Sequence, residues 1–276
     1  MGVNEPLAVR LATALDAMPP IAVAVSGGID SLTLAVFAHR HNPAGVTMFH
    51  AVSPAVPEEA TVRTHMLADQ ECWNLTVLDA GEFLKGEYVA NPVNRCFYCK
   101  TSLYGAIRPA TTMQIVSGTN LDDLGEYRPG LEAAKQYDVR HPFVEAGIDK
   151  AGVRALAREL GLGALAELPS SPCLSSRIET GIAIDPVMLA AVHATEKLVA
   201  ARLQPMTVRC RVRAGGVVVE LDGDTHARLD VDTRAVLAAD VQTLFADKGF
   251  ADRAVSFDPY RVGSAFLHAK MAVKAL

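Results

Sequence analysis

Apolar and polar residues follow two different periods along this chain, and the period switches from segment to segment. Residues 21–25, IAVAV, form a short unbroken apolar run, and 46–52 and 75–78 are mostly apolar segments of similar length farther on. A fourth run, 115–117, leads into Gly118-Thr119-Asn120. Unbroken runs of this length mark strands covered on both faces rather than strands with one wet side. Between them, 32–41 and 58–71 have helical spacing, and 5–18 reads as a helix closed by Pro19-Pro20. Asn42-Pro43-Ala44-Gly45 separates helix from strand. Strands alternating with helices predict crossover units, and so an α/β fold around a parallel sheet.

After a helix predicted over 149–160 the pattern fades. From Gly161 to Gly181 no period holds, and an irregular stretch of about twenty residues in a compact protein is functional or a linker. A helix over 186–202 follows, then strands over 207–213 and 217–221 around Ala214-Gly215-Gly216, a hairpin signal. A helix over 231–245 and a strand over 254–257 complete the pattern. The expectation is two domains: 1–181 with the parallel sheet, and a smaller α+β domain over 182–276.

In a parallel sheet, ligands sit beyond the carboxyl ends of the strands. Three polar turns fall there: Ser26-Gly27-Gly28-Ile29-Asp30-Ser31, Ser53, and Gly118–Asp123 with Asn120. A glycine turn between strand and helix brings backbone N–H groups close to an anion, and Ser26 and Ser31 add hydroxyls. Asp30 is an acid where a bare phosphate would want none, which points to a bridging Mg²⁺. The hexapeptide resembles the PP-loop of ATP pyrophosphatases, which cleave ATP between the α and β phosphates. Neither GxxxxGK[ST] nor GxGxxG is present.

Composition narrows the classes. Half of the 276 residues are apolar and 21% are charged, as in a globular protein. A net charge of −5 disfavours nucleic acid as a partner. No apolar run has membrane length, and the start lacks a basic region followed by an apolar segment, so the expectation is a cytoplasmic protein without membrane association.

Five cysteines, an odd number, do not read as a disulfide framework. Cys72 and Cys210 lie in apolar surroundings and read as core. Cys96 and Cys99 form a CxxC, and Cys173 stands in the irregular stretch. The pair alone fits a redox couple or half a zinc site; with Cys173, three thiolates suit a [4Fe–4S] cluster with one iron lacking a protein ligand. Arg177, four residues after Cys173, is placed to bind phosphate or to hold and activate the thiolate. Arg211 and Arg213 alternate along one strand and share a face.

Longer motifs carry a closer resemblance. Gly118-Thr119-Asn120-Leu121-Asp122-Asp123-Leu124, Tyr127-Arg128-Pro129-Gly130, and Pro169-Ser170-Ser171-Pro172-Cys173-Leu174-Ser175-Ser176-Arg177-Ile178 with Gly181 resemble the LarE family of ATP-dependent sulfur transferases. So do Arg211-Val212-Arg213, Glu220, and 258–264. The resemblance implies ATP and Mg²⁺ at the PP-loop, and AMP transfer onto a carboxylate of a pyridinium dicarboxylate mononucleotide. Sulfur then displaces AMP to give a thiocarboxylate, on the route to the nickel-pincer cofactor of lactate racemase. It further implies Cys173, Asp30 and Arg177 as catalytic residues, with Arg211 and Arg213 on the substrate phosphate. Glu196 and Glu220 become candidate metal ligands, with ordinary surface acids as their plain reading, and the chain a homo-oligomer, with a hexamer as one form.

Family members obtain sulfur in two ways. Some sacrifice the cysteine matching Cys173, which becomes dehydroalanine; others hold a cluster on Cys96, Cys99 and Cys173 equivalents and pass on sulfide from an external donor. The CxxC here favours the cluster. Lys100, Asp122, Arg128 and Lys150 lie in family-like motifs, with a surface charge, a turn former and a solvated helix residue as the plain readings of Lys100, Asp122 and Lys150. Rival functions are tRNA thiolation, an amidotransferase-coupled synthetase, and a nucleotide sensor or iron–sulfur carrier without turnover.

Overall fold

The structure, a computed structural model, describes residues 5–125, 128–169, 172–251 and 253–264. Tyr127, Ser170 and Ser171 of the motifs above lie outside the described residues. The chain divides into two compact units, 1–82 with 96–171, and 83–95 with 172–276. The sequence reading places the change at 181; in the structure 172–181 and the excursion 83–95 group with the second unit.

The first unit is built on a four-stranded parallel sheet of β1 (Ile21–Val25), β2 (Val46–Val52), β3 (Leu75–Asp79) and β4 (Gln114–Ser117), in the order β3-β2-β1-β4. Ile21 pairs with Val46 on one side and Gln114 on the other. β1 is buried throughout because both its faces are covered. Ile21, Val23 and Val25 join one apolar layer with α1 (Leu7–Asp16) and α2 (Ile29–His41). Ala22 and Ala24 join the opposite layer, with Tyr104 and Ile107. α3 (Glu58–Glu71) links β2 to β3. The chain then runs through α4 (Gly86–Val89), a second-unit element, and α5 (Arg95–Ile107), which starts on the last residue of that excursion.

β4 lies on the far side of β1, so the strand order reverses between β1 and β4. That switch point is where open α/β sheets bind ligands. α6 (Pro129–Gln136), α7 (Pro142–Glu145) and α8 (Lys150–Glu159) follow, and the Asp149 side chain caps α8 by accepting from Gly152 N–H at 2.8 Å.

The second unit contains α9 (Pro186–Leu203), β5 (Val208–Arg213), β6 (Gly216–Leu221), α10 (Gly223–Arg228), α11 (Val231–Ala246) and β7 (Val255–Pro259). β5 and β6 form the expected antiparallel hairpin, and β7 adds to β6 in parallel, giving a separate mixed sheet. Val192 and Val199 of α9, Val212 and Val219 of the hairpin, and Leu237, Val241 and Phe245 of α11 are buried. The fold is therefore α/β with a parallel sheet and a smaller mixed-sheet unit. Among the described residues, no helix is long and apolar enough to cross a membrane.

Candidate functional site

The turn after β1 takes a shape that its glycines dictate. Gly27 has φ +74°, and a Cβ there would lie 2.3 Å from the Ala60 carbonyl oxygen. Gly28 caps α2 and leaves the first-turn amides of that helix facing the turn. Ser31 closes the loop on itself: its Oγ accepts from Ser26 N–H at 3.0 Å and donates to the Gly28 carbonyl at 3.1 Å. From β4, Gly118 packs directly on this turn, since a Cβ would sit 2.7 Å from Ser31 N. Ser26, Gly27, Gly28, Asp30, Ser31, Gly118 and Asn120 are thus brought together at the switch point. Ser53 is used locally, its Oγ accepting from Ala55 N–H at 3.2 Å.

Asp30 is the most heavily engaged acid of the turn. Its oxygens accept from Lys150 Nζ at 2.7 and 2.6 Å, and Oδ1 also accepts from Asn120 Nδ2 at 3.1 Å. Asn120 is buried, and its Oδ1 accepts from Asp122 N–H at 3.0 Å. Asp122 in turn accepts from Lys150 N–H at 3.2 Å, steering the start of α8 toward Asp30. Arg128 pairs with Asp123 at 2.9 Å. Lys150 is therefore not the solvated helix residue of the sequence reading; its ammonium stands on the loop carboxylate. A divalent cation fits Asp30 in donor chemistry. Both oxygens are already met by Lys150, so any cation bound there would compete with the ammonium for the same acceptor.

Three further side chains brace this site without any signal in the sequence. His50, fully buried on β2, donates from Nδ1 to the Val25 carbonyl at 2.9 Å and accepts from Thr61 Oγ1 on Nε2 at 3.0 Å. Burial holds its pKa below the ordinary histidine value, against the raising effect of the Val25 contact and with a small push from His65. His141 Nδ1 meets Ser117 Oγ at 2.9 Å, and Ser117 Oγ meets Thr119 Oγ1 at 2.9 Å, fixing both flanks of Gly118. Burial lowers the His141 pKa as well. Arg63 Nε donates to the Gly27 carbonyl at 3.2 Å.

In the second unit the segment around Cys173 docks against β5. Glu179 N–H donates to the Val212 carbonyl at 2.9 Å, and Ile178 bridges to Val212. Tyr88 and Ser175 share a 2.6 Å hydrogen bond, and Asn91 Nδ2 donates to three carbonyls of 178–182 and pairs with Arg95. Arg177 is 3% exposed and grips Glu196 with Nε at 2.9 Å and Nη2 at 3.1 Å. Glu220, 1% exposed, accepts from Arg211 at 3.0 Å and Arg213 at 2.7 Å. Glu196 and Glu220, read from the sequence as metal ligands, are both met by guanidinium groups. Arg211 also donates to the Ser176 carbonyl at 3.0 Å, whereas the buried Nε of Arg213 has no partner among the described residues. Arg209 continues the alternation on β5, so this strand presents three arginines on one face, a third member missed in the sequence.

None of the five cysteines, all described, forms a disulfide. Cys210 is buried as expected, and burial pushes its thiol pKa up. Cys72 departs from the expectation: it is exposed, at φ +53° in the left-handed residue ending α3. Cys96 and Cys99 sit one turn apart on α5, exposed and half-buried, on a helix the sequence reading left unassigned. Cys173, half-buried, belongs to the other unit. Among the described residues no group of three His, Cys, Asp or Glu side chains is placed to hold a metal ion.

No protein-family model matches the chain. It is 31% identical over 245 residues, 87% of its length, to an uncharacterised Synechocystis protein, covering 90% of that protein. It is 25% identical over 245 residues to an uncharacterised protein of Methanocaldococcus jannaschii, with 87% and 90% of the two chains covered. Over 219 residues, 76% of this chain and 78% of the relative, it is 31% identical to the pyridinium-3,5-bisthiocarboxylic acid mononucleotide synthase of Lactiplantibacillus plantarum. With that identity spread across three quarters of its length, this chain belongs to the LarE family, that of the pyridinium-3,5-bisthiocarboxylic acid mononucleotide synthases.

Proposed function

We propose that this protein is an ATP-dependent sulfur transferase that turns a carboxylate of a pyridinium dicarboxylate mononucleotide into a thiocarboxylate, toward the nickel-pincer cofactor of lactate racemase. The observation that carries the reading is the Ser26–Ser31 turn packed against Gly118 at the switch point, in a chain of this family. A carboxylate oxygen is a poor leaving group. Attack of that oxygen on the α-phosphorus of ATP breaks the bond to pyrophosphate and leaves an acyl-adenylate, from which AMP departs readily. The α2 amides, the Ser26 and Ser31 hydroxyls and Lys150 supply the positive potential in which pyrophosphate forms. Mg²⁺ on Asp30 would neutralise the same charge. The unpartnered Arg213 Nε supports an anionic group of the substrate beside β5. A sulfur nucleophile then forms a bond to the acyl carbon as the bond to AMP breaks.

Cys96, Cys99 and Cys173 would supply the thiolates of a [4Fe–4S] cluster, which when bound would supply sulfide from an external donor. The half-buried Cys173 thiol supports a second delivery route. There the Cys173 thiolate attacks the acyl-adenylate. β-Elimination then moves the Cα proton to a base and breaks Cβ–S, leaving dehydroalanine and the thiocarboxylate. Incubation with Mg-ATP, pyridinium-3,5-biscarboxylic acid mononucleotide and sulfide tests the reading: AMP, pyrophosphate and a product with sulfur for oxygen are expected. Transfer to tRNA instead would replace it, and intact mass of the protein after turnover separates the two sulfur routes.

A further inference from the structure

We propose that Glu196 and Arg177 are positioning residues for Cys173: a carboxylate–guanidinium clamp, its guanidinium buried, that fixes the backbone carrying the thiol. The inference rests on the reading of Cys173 as the residue that handles sulfur, and it replaces the sequence assignments of Arg177 to phosphate or thiolate and of Glu196 to metal.

Arg177 has the donors of a planar fork, and protein acceptors meet all three of its nitrogens. Nε and Nη2 go to Glu196 at 2.9 and 3.1 Å. Nη1 donates to the Pro172 carbonyl at 2.6 Å, the Ser176 Oγ at 3.0 Å and the Cys173 carbonyl at 3.3 Å. With the side chain 3% exposed, little of it is left for a phosphate. Its contact with Cys173 is made through the main chain.

Glu196 anchors the other end. It projects from α9, whose Asp185 side chain caps the first turn, and its Oε1 also accepts from Cys210 N–H at 2.9 Å. β5 is an edge strand, so that amide would otherwise be a buried donor without a partner. One carboxylate thus ties α9, β5 and the Cys173 segment together. Further ties reach neighbouring residues: Tyr88 holds Ser175, and Arg211 holds the Ser176 carbonyl. A buried ion pair is a weak route to stability, because desolvation offsets its Coulomb energy. Its contribution here is geometric, since a planar fork saturated by fixed acceptors leaves the 172–177 backbone few alternatives.

The test compares Glu196→Gln and Arg177→Lys with the parent chain. The ratio of iodoacetamide alkylation rates at Cys173 and at exposed Cys72 is read by peptide mass spectrometry. Hydrogen exchange at the Ser176 and Ile178 amides, which donate within this segment at 2.9 and 3.2 Å, reads the clamp whether or not the thiol is ligated. Loss of a charge-assisted hydrogen bond of about 1.5 kcal/mol predicts a change of roughly tenfold in both readouts. If the glutamine variant does not fold, the lysine variant keeps the ion pair and loses only the fork. Ratios and exchange unchanged in the folded variants overturn the proposal, as does a uniform acceleration of both cysteines. Loss of Mn²⁺ binding in Glu196→Gln with an unchanged ratio returns Glu196 to the metal. None of these readouts needs turnover, so failure of the sulfur-transfer reading leaves them intact and distinguishable.

Discussion

The two candidate regions hold their reactive groups in opposite ways. In the first unit the Ser26–Ser31 turn is made of main chain: two glycines in close packing, helix amides and a serine that bonds its own loop. Its principal ion pair, Lys150–Asp30, is about 30% exposed on each side. In the second unit the Cys173 segment is held by side chains: two carboxylates and three arginines, of which Arg177, Arg211 and Glu220 are buried. A main-chain cradle of this kind suits a large anion that must arrive and leave. A side-chain clamp fixes a short stretch of backbone with residues that need not touch the substrate.

The difference predicts where single substitutions cost most. Glu220→Ala should be the severest, because it strands two guanidinium groups against an apolar sheet. Removing one partner of a buried pair costs about 3–5 kcal/mol, so a large drop in urea midpoint is expected. A loss under about 1 kcal/mol would mean that water screens this cluster and that the contrast between the regions is overstated. Next comes Gly27→Ala, which pushes a methyl into the Ala60 carbonyl at a left-handed φ. Here folding should survive and the loop should shift, and a displacement of about 1 Å can cost on the order of 100-fold in rate. Pyrophosphate release measured beside thermal stability separates the two; near-normal release would show that the turn is not the phosphate site.

These regions also differ in how far they were legible in the chain. SGGxDS is contiguous, and its chemistry follows from residue types in order, so the turn, its strand and the Gly118 partner were readable together. The clamp is not contiguous: Arg177 and Glu196 are 19 positions apart, and Arg211 and Glu220 meet only because β5 pairs with β6 in one register. Seen one at a time, a buried acid and a metal ligand look alike. Lys150 shows the same limit in the first unit, because 120 residues separate it from Asp30. The helix across Cys96 and Cys99 went unassigned because the run RCFYCKTSLYGAI carries no clear stripe of apolar positions.

Lys150→Met sharpens the contrast further. If the ammonium competes with a cation for Asp30, removing it should raise Mn²⁺ affinity of the nucleotide-free protein. A partly exposed pair contributes up to about 1 kcal/mol, so roughly a fivefold gain in titration calorimetry is expected. Unchanged or weaker binding would show that Lys150 and the metal do not share this acceptor.

The mildest effect tests the one place where the main-chain cradle leans on a buried side chain. His50 donates to the Val25 carbonyl, the last strand residue before Ser26, and accepts from Thr61. Burial depresses its folded pKa, so the folded protein keeps the neutral ring while the unfolded chain takes up a proton near pH 6.5. The sign follows: this contribution to stability is complete above about pH 6.5 and is lost as the pH falls below it, by at most about 1.4 kcal/mol per pH unit. His141 shifts in the same direction and adds to the slope. Urea midpoints between pH 8 and 5.5 should therefore fall on the acid side, and less steeply in His50→Gln. The Arg177–Glu196 clamp contains no histidine, so Cys173 alkylation corrected to Cys72 should not follow that slope. If it does, the brace under the Ser26–Ser31 turn and the clamp on the thiol respond as one system, and the division between the two regions fails.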